Sequence, residues 1–242
     1  MNAIEAMGLT KRYGPKTALY PLDLTVKEGE LFGLLGINGA GKTTTIKLLS
    51  CLMSPTEGTA KIYGHDICQE PQEAKALLAT SPQETAVAPN LTVRENLELM
   101  AGIYGASSIE AKERSEEMIR KFKLDDFAKT KARKLSGGWQ RRLSIAMALI
   151  SEPRLLFLDE PTLGLDILAR RELWKTIEQL KGKTTIILTT HYLEEAEVLS
   201  DRIAILSGGK LTALGTAAEL VTQAGVKTFE DAFIELAGGD AL

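Results

Sequence analysis

The apolar run Leu31 to Leu35 breaks into the glycine-rich stretch "GINGAGKTT", Gly36 to Thr44, and apolar spacing resumes at Ile46, Leu48 and Leu49. Buried strand, loop and helix in that order, with the loop at the spacing G-x-x-x-x-G-K-[ST], commit the chain to an α/β fold built around an anion-binding turn. Gly36, Gly39 and Gly41 allow backbone angles that a side chain would forbid. With Ile37, Asn38 and Ala40 between them, successive N–H groups can converge on anionic oxygens while the helix adds its positive end. Lys42 then supplies a point charge between β- and γ-phosphates, the Thr43 hydroxyl is placed to ligate Mg²⁺, and Thr44 adds a further phosphate contact. The competing reading is a glycine-rich turn that binds nothing, and it requires all these residue types to fall at this spacing by composition alone.

Two more strands converge on the same chemistry. In "RLLFLDEPTLGLD", Arg154 to Asp166, the apolar residues Leu155 to Leu158 end in two carboxylates and Pro161, as a strand buried on both faces of a parallel sheet would. Asp159 suits holding Mg²⁺ and Glu160 suits polarising a water that attacks a γ-phosphate. The β-branched run Thr184 to Thr190 delivers His191 at its end. Ligands of open parallel sheets gather at the carboxyl ends of strands, so Gly36, the acidic pair and His191 are expected together. His65, in the turn-like "YGHD", reads as an ordinary surface residue.

In "KLSGGWQRRLSIAMALI", Lys134 to Ile150, Ser136, Gly137 and Gly138 precede a strongly amphipathic helix in which Leu143, Ala146, Met147 and Ile150 share a face. They form a second helix N-terminus able to receive anionic oxygen, unless Ser136 is a plain N-cap. One nucleotide has no evident use for two such cradles from one chain.

With these motifs in place, the chain resembles the ATP-binding subunit of an ABC transporter from end to end: "GINGAGKT" matches the Walker A loop, "LSGGW" the signature and "LLFLDE" the Walker B strand. The resemblance implies a P-loop NTPase (RecA-like) parallel-sheet core with an N-terminal antiparallel β section and an inserted α-helical subdomain. It implies ATP and Mg²⁺ as ligands, a second ATPase subunit packed head to tail as a homodimer, separate transmembrane permease subunits, and no nucleic acid. It further implies that Tyr13 stacks on adenine, that Gln83 joins Mg²⁺ and the attacking water, and that Asp166 sits across the subunit interface. His191 is implied to contact the γ-phosphate. From the residues alone, Tyr13 also reads as a strand aromatic, Gln83 as a loop amide and Asp166 as a helix cap. Trp139 and Leu163 depart from the commonest pattern, which has glutamine or methionine and a small residue there.

The expected organisation is a single ATPase domain over 1–242, with the nucleotide core in 1–84 and 151–225, the helical subdomain and signature in 85–150, and a short helix and tail of exporter type in 226–242. The antiparallel section falls around Ala3 to Val26, "TVRE" at Thr92 to Glu95 reads as a capping box, and Gly208-Gly209 as a hairpin turn. A formal net charge of −3 offers nucleic acid no general attraction. The basic cluster Lys129, Lys131, Arg133, Lys134, Arg141 and Arg142 reads as a solvated face. Cys51 and Cys68 read as packing or surface thiols. No run reaches the length of a membrane span, and the first residues lack the apolar core of a signal peptide, so the chain is expected in the cytoplasm, peripheral on the membrane through its permease. The alternative function is a soluble ABC ATPase acting on nucleic acid or ribosomes. A P-loop kinase or GTPase gains no support, since no guanine-reading N-K-x-D pattern occurs.

Overall fold

A computed structural model describes residues 1–238, so residues 239–242, the end of the tail read over 226–242, lie outside the described residues. In chain order the elements are β1 (Asn2–Tyr13), β2 (Lys16–Lys27), β3 (Leu31–Leu35), α1 (Lys42–Leu49), β4 (Glu57–Ile62), β5 (His65–Asp66), α2 (Pro71–Ala76) and β6 (Leu78–Ser81). Then follow α3 (Val93–Ile103), α4 (Ser108–Lys121), α5 (Gly137–Leu149), β7 (Leu155–Asp159), α6 (Ile167–Glu178), β8 (Thr185–Thr189), α7 (Leu193–Leu199), β9 (Arg202–Ser207), β10 (Lys210–Gly215), α8 (Ala217–Ala224) and α9 (Phe229–Leu236).

The β1–β2 hairpin pairs onward through β4 to β5, giving a sheet of order β2-β1-β4-β5 whose paired neighbours are all antiparallel. The second sheet has the order β10-β9-β3-β8-β7-β6, parallel throughout except for the β9–β10 hairpin. Its central strands β3, β7 and β8 are apolar along their length because both faces are covered, leaving no polar face to alternate. Register fixes the site: Leu34 lies opposite Thr189, and Thr189 opposite Asp159. The chain therefore leaves β3, β8 and β7 at one edge, delivering Gly36, His191 and Glu160 side by side. From the other side, α9 and the residue that ends it set Phe229, Phe233 and Ala237 in one apolar cluster with Leu35, Ile203 and Ile205, behind the strand feeding the glycine-rich loop.

Between Leu91 and Ile150 the chain is mostly helical. Thr92 accepts from the Glu95 N–H while Glu95 reaches back to the Thr92 N–H, and Ser107 and Glu110 repeat the exchange at α4. Val93, Leu97 and Ala101 pack with Met118, Ile119 and Phe122 against α5, whereas Ile109 projects into solvent.

Two sequence expectations are corrected here. Helix α5 is not amphipathic: every residue from Arg141 to Leu149 is buried, because the helix runs between the parallel sheet and α3, α4 and α6. Arg141 and Arg142 accordingly leave the basic cluster, being 4% and 7% exposed, while Lys129, Lys131, Arg133 and Lys134 are exposed as expected. The Arg141 guanidinium donates to the carbonyl of Pro82 at 2.6 Å and to that of Gln83, and Arg142 lies 4.8 Å over the Trp139 ring. Burial pushes both guanidinium groups below their ordinary range, and for Arg141 the charges of Asp159 and Glu160 work against that shift. Among the described residues no helix is long and apolar enough to cross a membrane.

Candidate functional site

A cavity of about 400 Å³ opens where β3 ends, lined by residues 37–44 with Gln83, Asp159 and Glu160. Gly36, just before the lining residues, is fixed by close approach: a Cβ there would stand 2.4 Å from the Leu206 carbonyl oxygen and 2.6 Å from the Ala40 side chain. Gly41 caps α1 in the left-handed region at φ 105°, a turn that aims the first helical amides into the cavity. The Thr45 N–H is the one returned to the Gly41 carbonyl, at 2.9 Å, so the amides of Lys42, Thr43 and Thr44 stand at the open end of the helix.

Lys42 is 8% exposed and donates to the Gly36 carbonyl at 2.5 Å. Burial pushes its ammonium below the ordinary lysine range, while the charges of Glu160 and Asp159 hold it up. A buried cation between a ring of free amides and two carboxylates is stable toward an anion that neutralises it. Asp159 accepts from the Thr189 hydroxyl at 2.5 Å, which orients its carboxylate along the cavity wall.

Glu160 leaves β7 in an uncommon backbone conformation, which Tyr63 shares at the end of β4. Glu160 sits at φ 50°, a left-handed conformation that is costly for a side chain with a Cβ, and its N–H is pinned by the Thr189 carbonyl at 3.0 Å. The turn directs its carboxylate to His191, whose Nδ1 lies 2.7 Å from Oε2. Strain of this kind places a carboxylate where a helix or strand would not. Among the donors around the cavity, the Thr43 hydroxyl, the Gln83 amide and the Asp159 carboxylate supply hard oxygen ligands of the sort Mg²⁺ takes.

Not every residue singled out in the sequence lines this cavity. Tyr13 lies outside its wall, 47% exposed, with its hydroxyl donating to Met53 Sδ at 3.0 Å and the Lys11 ammonium 5.5 Å from its ring. Asp166 caps α6, accepting from the N–H groups of Leu168 and Ala169 at 2.9 Å, and is exposed. Ser136 and Gly137 are exposed and Gly138 half-buried at the start of α5, where the Ser136 side chain forms no cap bond. His65 pairs loosely with Glu70 at 3.6 Å, in keeping with its ordinary reading. Trp139 packs on Phe127 with ring centroids 4.7 Å apart, and Leu163 lines a shallow cavity with Gln83, Gly137 and Gly164.

Sequence reasoning missed the opposite wall. Lys16, Thr17 and Ala18 at the start of β2 and the turn Gly208-Gly209 also line the cavity. The turn clamps the loop: the Gly209 N–H donates to the Ala40 carbonyl at 3.1 Å, and its carbonyl accepts from the Tyr20 N–H at 2.8 Å. The turn was legible as a hairpin, but nothing local in it points to a loop more than 160 residues earlier.

Known proteins share this arrangement. A family model described as ABC transporter matches residues 19–163. The daunorubicin resistance ATP-binding protein DrrA3 of Streptomyces coeruleorubidus is 43% identical over 93% of this chain and 71% of its own length. The Nod factor export ATP-binding protein I of Cupriavidus metallidurans is 41% identical over 91% of this chain and 74% of its own. Among solved structures, the ATP-binding cassette MJ0796, a dimer in a post-hydrolysis state bound to ADP and Pi, is 28% identical with a TM-score of 0.79, covering 88% of this chain and 98% of its own.

Proposed function

The chain belongs to the ABC transporter family as an ATP-binding subunit, and from that premise we propose that it hydrolyses ATP at the interface of a head-to-tail dimer to drive export through separate membrane subunits. The reaction is ATP plus water to ADP and phosphate. The observation that carries it is Glu160, strained at φ 50° in the wall of a cavity that also holds a buried lysine, with its carboxylate held against His191. Gly36 to Thr44 take the triphosphate, with Lys42 on the β- and γ-phosphates. Thr43, Gln83 and Asp159 would hold Mg²⁺, which would supply charge neutralisation at the phosphoryl oxygens. Glu160 polarises the attacking water, and His191, tied to the same carboxylate, contacts the γ-phosphate and keeps the geometry closed. Tyr13 stacks on the adenine.

The second helix N-terminus then has a use. Ser136, Gly137 and Gly138 of one copy meet the γ-phosphate held by Lys42 of the other, with Asp166 beside them across the interface. Hydrolysis removes the shared contacts, the pair opens, and the helical segment 85–150 passes the motion to the membrane subunits. The protein works on the cytoplasmic face of the membrane, held there by those subunits. Purification under mild detergent tests this: a hydrophobic polypeptide should accompany the chain and raise its ATP turnover. Salt-sensitive retention on RNA or ribosomes without such a polypeptide would overturn the transport reading.

A further inference from the structure

Glu195, four residues past His191 in α7, is 0% exposed, yet the side chain that bonds to it is an indole rather than a cation. Its Oε1 accepts from Trp174 Nε1 at 2.8 Å, while its Oε2 is buried with no hydrogen-bond partner, near the side chains of Thr162 and Thr190. Burial pushes the carboxyl above the usual range, against those side chains and with the charge of Glu160 adding to the rise. Such a group is costly to bury, and an apolar side chain would fill the site without that cost.

The three side chains around this carboxyl come from three parts of the site. Thr162 follows Glu160 by two residues, Thr190 precedes His191, and Trp174 belongs to the helix that starts at Asp166. A second contact runs alongside. Arg170, one helical turn before Trp174, lies 4.2 Å over the Tyr192 ring, and that ring packs 4.3 Å from the His191 imidazole. Tyr192 is pinned in turn by its N–H to the Thr190 hydroxyl, at 3.0 Å. Helix α6 therefore grips the histidine segment by an i, i+4 pair, one rung through Tyr192 and one through Glu195.

We propose that Glu195 is a positioning residue, fixing the Thr190–Tyr192 segment, and with it the His191 ring beside Glu160, to the helix that Asp166 begins. This rests on the ATPase reading above. Through this clamp, a change at Asp166 is felt at His191 by way of packed side chains, without passing through the nucleotide.

Three variants of the full chain test it: Glu195→Leu, Glu195→Gln and Trp174→Phe. In Glu195→Leu, kcat for ATP should fall about 10²-fold, the loss expected from displacing a reacting group by about 1 Å, with KM changed less than about threefold. Glu195→Gln keeps an acceptor for Trp174 and a donor for a threonine hydroxyl, so it should restore kcat to within about threefold of wild type. Trp174→Phe removes the donor from the opposite side and should lower kcat about tenfold, again at nearly constant KM. The protein has two histidines, so imidazole NMR gives His65 as an internal control. The His191 signals should move in Glu195→Leu and Trp174→Phe while those of His65 stay.

A folded Glu195→Leu protein with wild-type kcat and unmoved His191 signals overturns the inference, even if its melting temperature drops. Should that variant fail to fold, Trp174→Phe decides by the same two readouts. Absent turnover in the wild type would instead defeat the ATPase reading, leaving the histidine signals to judge the clamp.

Discussion

Helices α1 and α5 make an instructive pair. Among the described residues, the other helices of eight residues or more are capped by a side chain: Thr92, Ser107, Asp166, Thr216 and Thr228 each accept an amide at a helix start. Of the described helices this long, α1 and α5 begin without one, at Gly41 and Ser136. In α1 the uncapped amides face inward, onto a buried lysine and two carboxylates of the same chain. In α5 the corresponding residues Ser136 and Gly137 face solvent, although Ser136 is a residue type that caps well. In the function proposed above, the first end is a finished half of a site, and the second is the half offered to another copy.

The sharpest way to break this contrast is at the chemistry that only the inward end holds. Glu160→Gln should slow ATP hydrolysis by roughly 10²- to 10⁴-fold, with ATP affinity retained, in a phosphate-release assay under saturating nucleotide. Near-normal turnover would remove Glu160 from its role. Lys42→Ala should weaken ATP binding by roughly 10- to 10²-fold in calorimetry, the range of a lost charge-assisted hydrogen bond, and unchanged affinity would contradict the placement of the β- and γ-phosphates. Ser136→Ala probes the outward end. It should leave ATP affinity of the monomer within about twofold while weakening ATP-dependent dimer formation about tenfold, as read by sedimentation.

The smallest effect sharpens the comparison through stability. Thr92→Ala breaks a capping box and should cost about 1 kcal/mol in urea unfolding. Ser136→Ala removes no cap bond and should cost under about 0.5 kcal/mol. Equal losses would mean that Ser136 is an ordinary cap after all.

Much of the inward end was legible because its parts are local. Strand, glycine loop and lysine follow one another within residues 31–44, and the carboxylates and His191 each terminate their own apolar strand. What stayed hidden depends on segments far apart in the chain. Arg141 and Arg142 look like surface charge until carbonyls of Pro82 and Gln83 and the Trp139 ring arrive to meet them. The amphipathic appearance of α5 likewise fails because its polar residues find partners in the interior: Ser144 meets Ser81 at 3.2 Å. Glu195 was not singled out in the sequence, since nothing in "LEEAEV" marks which of its glutamates is buried until Trp174 is seen to meet it.

Whether one copy's α5 completes the other's α1 is most directly tested by weighing the Glu160→Gln protein by light scattering with ATP and with ADP. A doubling of mass with ATP, reversed by ADP and lost when Ser136→Arg is added, is the expected result. A monomer at saturating ATP, beside a wild-type monomer that hydrolyses ATP at full rate, would contradict it.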